Sequence, residues 1–167
     1  QLALAINLEQ AGRVDDAFAA DSPVQNAAIR AVLLQRTAGA ALLRTQAQNQ
    51  ATSAALRDTA LYTLLYKELT RGRYADFVAD TALVSGAPAE PLKPFVASGA
   101  RNADGYVCPS ARDIAAALQQ NPADAPALNC LADFVRLHPP AAGIESYPGV
   151  AAQRAGRRRH ARAADAR

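Results

Sequence analysis

Apolar positions along the chain recur at helical spacing in separated blocks, and the densest block is Leu56–Val84 (LRDTALYTLLYKELTRGRYADFVADTALV). Within it Leu61, Leu64, Leu65 and Leu69 follow the three-to-four-residue period of a helix, with Tyr62 and Tyr66 one turn apart beside them. Together they cover more of the circumference than the stripe of a helix lying on one partner, which predicts a helix packed on two sides. Ser53 stands where an N-cap belongs. Gly72 suits the left-handed residue that closes a helix, and Lys67, Arg71 and Arg73 lie near the negative end of its dipole. The following helix presents Tyr74, Phe77, Val78 and Thr81 on one face, so the block reads as a hairpin turning at Arg71-Gly72-Arg73.

The flanking segments are looser versions of the same unit. Residues 2–20 predict a first hairpin turning at Gly12. Asp21-Ser22-Pro23 marks a stop, with Ser22 as the expected cap and Pro23 in the first turn of a helix over Val24–Thr37. Gly39 separates it from a helix over Ala40–Gln48, where Leu42 and Leu43 point inward, and the polar run Gln46–Thr52 reads as a connection. Ser85–Tyr106 changes character: three prolines and three glycines mark a long loop, which Leu92, Phe95 and Val96 can pin to the helical layer. Helical patterning returns after Pro109. There Ser110 and Asp113 form a capping-box-like pair ahead of Ile114, Ala117 and Leu118. Asn121-Pro122 ends that helix, and Asp124 starts another bearing Leu128, Leu131, Ala132, Phe134 and Val135, which runs out at His138-Pro139-Pro140. The prediction is an all-α fold of seven or eight helices, in stacked antiparallel hairpins, over residues 1–148.

Composition sharpens this picture. Half of the 167 residues are apolar and 20% are charged, the balance of a globular chain, and a domain of this length buries about two thirds of its unfolded surface. No apolar run approaches the ~20 residues that a membrane span requires. Residues 151–167 hold six of the 18 basic residues and one of the 15 acidic ones, so this tail carries +5 while residues 1–150 carry −2. The tail, 149–167, is expected to be disordered; its arginines can contact phosphates or acidic surfaces nonspecifically, or it is the product of a shifted or prematurely ended reading frame. The chain opens at Gln1 inside a helical pattern and has no methionine, which reads as a fragment or processed product with any leader peptide outside it.

Leu4, Ala5, Leu8, Gly12 and Ala17 are spaced like the packing positions of a tetratricopeptide repeat. The order Ile114, Ala117, Pro122, Leu128, Leu131, Ala132 is similar to the junction between two such repeats. The chain thus resembles tetratricopeptide-like proteins over about two thirds of its length, and the resemblance implies an α-α superhelix that binds a protein or peptide on its concave side. It departs from that pattern where Leu65 and Phe77 replace small residues and where the period varies, which implies an irregular array. The runs ALYTLLYKELTRGRYADFVAD, DGYVCPS and NCLADFVRL also resemble an uncharacterised proteobacterial family of secreted or envelope proteins, implying a periplasmic or secreted setting.

Candidate chemistry is sparse. Cys108 and Cys130, 22 residues apart, fit a structural disulfide in an oxidising compartment. In a simple hairpin Cys130 faces Ile114, which leaves Cys108 about 9 Å away along the axis. A bridge therefore needs the Tyr106–Pro109 segment to fold back, and two independent thiols are the alternative. Neither cysteine has a partner at metal-ligand spacing, and no metal or cofactor is expected. His138 reads as a helix C-terminal cap. The Asp76–Asp80 pair can serve acid/base chemistry, but its place near Arg71 and Arg73 reads as a solvated face. No catalytic set is present, and the chain is read as a noncatalytic interaction scaffold. Tyr62, Tyr66, Tyr74 and Phe77 are the candidate binding residues, with core filling as the alternative. The competing readings are a helical accessory region of a larger enzyme and electrostatic binding, including to nucleic acid, through the tail.

Overall fold

The computed structural model describes residues 1–99, 101 and 105–138, and all regular elements among them are helical. The expected tail, 149–167, lies outside the described residues. Eight α-helices are described: α1 (Leu2–Gln10), α2 (Ala27–Arg36), α3 (Ala40–Gln48), α4 (Ala54–Thr70), α5 (Tyr74–Asp80), α6 (Lys93–Val96), α7 (Ala111–Gln120) and α8 (Ala125–Leu137). Three 3-10 turns, Val14–Phe18, Thr81–Leu83 and Glu90–Leu92, join them. No helix among the described residues is long and apolar enough to cross a membrane.

The 17-residue α4 is the central element, and two of its faces are buried in different places. Leu56, Ala60 and Leu64 join Leu34 of α2, Leu43 of α3 and Ala38 of the connection between them. Leu61, Leu65, Tyr66 and Leu69 pack instead with Phe77, Phe95, Ile114, Leu118 and Phe134 from α5–α8. The wide apolar stripe is thus a two-sided helix. Its end follows from backbone chemistry: Gly72 takes φ +73°, which a side chain disfavours, and its N–H and that of Arg73 donate to the Leu69 and Glu68 carbonyls, satisfying the last turn. From α4 the packing proceeds serially, α5 onto α7 and α7 onto α8.

Several boundaries differ from expectation for local reasons. The partner of α1 is only a 3-10 turn, Val14–Phe18. The next helix starts at Ala27, capped by Asn26 Oδ1, which accepts from the Ala28 and Ile29 amides at 3.0 and 3.2 Å. Ser22 does not cap it, because the Ser22 hydroxyl accepts from the Val24 amide and the Gln1 side chain accepts from the Gln25 and Asn26 amides, which engages this segment outside the helix. Ser53 stands at the N-cap of α4 without a side-chain capping bond. The Pro/Gly-rich segment contains α6, whose Phe95 is fully buried. Leu128 sits on the solvent side of α8.

Candidate functional site

The four candidate aromatic residues separate into two pairs. Tyr66 is 1% exposed and Phe77 is 0% exposed, so neither can reach a partner: both are core, a correction to their reading as binding residues. The physical reason is α6, which seats Phe95 between them and α8, with ring centres 6.0 Å from Phe77 and 5.4 Å from Phe134. Tyr62 and Tyr74 are half-buried; Tyr62 stacks on Tyr66 at 5.9 Å and meets Phe95 edge-on at 5.3 Å. Burial raises the pKa of both phenols, favouring the neutral hydroxyl.

Beneath α5 lies a charged cluster that includes Asp80, one member of the Asp76–Asp80 pair expected on a solvated face. Glu68, on α4, is 0% exposed, and Asp80, at the end of α5, is buried; the expected solvated face is therefore half wrong, since only Asp76 is exposed. Arg44 of α3 reaches across both acids: its Nη2 lies 2.9 Å from Glu68 Oε1 and 2.8 Å from Asp80 Oδ2, and its Nε donates to Asp80 Oδ1 at 3.0 Å. Arg73 Nη2 donates to the same Glu68 oxygen at 2.8 Å. Two cations thus meet two acids, which compensates charges that burial alone would make costly. Burial first, and the adjacent Asp80 carboxylate second, raise the Glu68 carboxyl to about 7, against the opposing pull of Arg73 and Arg44. Glu68 Oε2 has no donor among the described residues, and protonating Glu68 would let that oxygen donate. Immediately before Glu68, Lys67 is buried with its Nζ donating to the Ala38 carbonyl at 3.1 Å; burial, then repulsion from Arg71, lowers it to about 8.

At the far end of the fold Cys108 and Cys130 are joined as a disulfide, with Cα atoms 5.6 Å apart. The fold-back that such a bridge requires is present. The Gly99 amide donates to the Cys108 carbonyl at 3.3 Å, Arg101 and Val107 form an antiparallel bridge, and Arg101 Nη1 donates to the Gly105 carbonyl at 3.1 Å. Among the described residues this lip consists of Gly99, Arg101 and residues 105–107, and it leads into the N-terminal end of α7. There Ser110 caps the helix, accepting from the Asp113 amide at 3.2 Å and donating to its carboxylate at 2.7 Å. Asp124 caps α8 by accepting from the Ala127 amide at 2.8 Å. His138, the C-cap of α8, rests on Phe134 at 4.9 Å, and burial lowers its pKa, favouring neutral imidazole.

The lip, α7 and α8 bound an open groove of about 700 Å³. Ile114, Ala117, Ala127 and Cys130 supply its apolar surface, and Tyr106 and Val107 form one wall while being 72% and 59% exposed. Sequence spacing did not single out this groove, because its wall comes from a loop whose position depends on the fold-back and the disulfide. Comparison of the chain with protein-family models, with curated proteins and with solved structures gives no match.

Proposed function

We propose that the chain is a noncatalytic protein-interaction module which holds a segment of a partner polypeptide in the groove formed by the lip, α7 and α8. The observation that carries this reading is the exposure of Tyr106 and Val107 beside an apolar groove of about 700 Å³, a volume within the range of ligand sites. Large apolar side chains left in water at the rim of a concavity are the usual mark of an interaction site, and aromatic anchors dominate interface energies. The acids that line the groove, Asp113 and Asp124, sit at helix N-termini, where each accepts one local hydrogen bond, while Glu68 and Asp80 are enclosed under α5. The serial packing of α4, α5, α7 and α8 supports a stacked-hairpin, tetratricopeptide-like arrangement, of which this groove forms one end. The disulfide supports an oxidising setting such as the periplasm or the cell exterior.

Selection of a random-peptide library on the full chain tests the reading. Peptides are expected to enrich, and their binding is expected to be lost in Val107→Asp while the melting temperature stays near that of the parent. Enriched peptides that bind Val107→Asp as well as the parent, or no enrichment over an empty support, would overturn it.

A further inference from the structure

We infer that the segment accepted by this groove is apolar in its middle and carries two cationic groups about 12 Å apart, an inference that rests on the groove reading above. Among the described residues two aspartates, Asp113 and Asp124, line the groove beside the Tyr106 phenol, and no lysine, arginine or histidine does. They stand toward opposite ends. Asp113 is in the first turn of α7, and Asp124 follows the turn after α7, at the start of α8. The helical path from residue 113 to the turn at 121 is about 12 Å at ~1.5 Å per residue. Ile114, Ala117 and Ala127 lie between them as an apolar floor. A ligand that lies along the floor therefore meets a carboxylate near each end.

Each carboxylate keeps capacity for such a ligand. Asp113 accepts from the Ser110 hydroxyl and Asp124 from the Ala127 amide, and an ionised carboxylate offers about four acceptor positions. Both also sit at helix N-termini, whose partial positive charge offsets part of their own, so the preference for cations is moderate and falls with salt. An extended peptide advances about 3.3–3.6 Å per residue, so lysines or arginines four positions apart span this distance.

The test uses fluorescent peptides of one leucine-rich sequence, with two lysines, two serines or two glutamates placed four positions apart, titrated against the full disulfide-bonded chain at low and high salt. The lysine peptide is expected to bind about tenfold more tightly than the glutamate peptide at low salt, with the gap narrowing in high salt. Asp113→Asn and Asp124→Asn are each expected to weaken the lysine peptide by about two- to fivefold, the range of an exposed ion pair. Asparagine still caps α8 at 124, and at 113 its Oδ1 still accepts from the Ser110 hydroxyl, so these variants remove charge while keeping the local fold. Equal binding of the lysine and serine peptides, lost in Val107→Asp, would overturn the cationic partner and leave the groove reading standing. Lysine-peptide binding that is unaffected by both asparagine variants would also overturn it. Binding of no peptide, or binding indifferent to Val107→Asp, would overturn both.

Discussion

The centre of the helical layer and its disulfide-bonded end solve opposite problems. Around α4 the chain takes charge out of water: Lys67, Glu68 and Asp80 are buried, and each is met by a carbonyl or an arginine from another element. Around α7 and α8 it leaves apolar surface in water, at Tyr106, Val107, Leu128 and Leu137. Buried charge met by partners from several elements fixes which elements sit together, because each lost partner removes compensation from a charge held out of water. Exposed apolar surface contributes nothing to folding the chain alone, and its use lies in contacts with something else. The chemistry that draws attention in the sequence, paired carboxylates and tyrosines, belongs mainly to the architectural centre.

The most severe way to break the contrast is Leu65→Asp, which places an uncompensated charge at a fully buried position on α4. It is expected to abolish the cooperative thermal transition followed by circular dichroism; a melt near the parent temperature would show that α4 is not the two-sided core. Next is Glu68→Ala, which removes the oxygen shared by Arg44 and Arg73, leaves Arg44 on Asp80 and Arg73 on Asp76, and is expected to cost about 1–3 kcal/mol in denaturant unfolding. Glu68→Gln keeps acceptors for both arginines and is expected to cost less than half as much; equal losses in the two variants would mean that the cluster is not held through Glu68.

The pH dependence separates the two regions without altering the fold. Glu68 binds a proton more tightly folded than unfolded, so its contribution is fully present below about 4.5 and is lost as pH rises through about 7. Lys67 is depressed when folded, so its contribution is absent below about 8 and grows as pH rises toward 10.5. Stability from this region is therefore expected to fall between pH 4.5 and 7 and to rise above 8, by on the order of 1–3 kcal/mol on each side. Chemical denaturation across that range checks it, and Glu68→Gln should remove the acid-side slope alone. The smallest expected effect on stability is that of Val107→Asp, within about 0.5 kcal/mol. A larger loss would mean that the lip holds the fold together and is not a free wall of the groove.

Much of the helical frame was legible because its signals are local. The leucine spacing of α4, Gly72 at its end, Gly39 before α3, Ser110 before α7 and Asp124 before α8 each act within a turn of helix. The charged cluster was not legible in the same way. Arg44 meets Glu68 across 24 residues and Asp80 across 36, and no local pattern carries that pairing. Helical periodicity placed Tyr66 and Phe77 on packing faces, but whether such a face is covered depends on a second layer. Here the cover is α6, a single turn inside a proline-rich loop that composition alone would leave open. Ser22 shows the same limit at short range: a competent cap went unused because Gln1, distant in sequence, occupies the adjoining backbone amides.

The bond between Cys108 and Cys130 closes a covalent ring that contains all of α7, the turn after it and the first part of α8. A single peptide-bond cut in the exposed turn at Asn121–Ala123 therefore opens the ring without releasing a fragment, and both pieces of the groove stay in one molecule. Gel electrophoresis reveals such a nick only after reduction. A protease that separates the halves of this chain must cut outside the ring, so the floor of the groove is the part of the surface best insured against being shed.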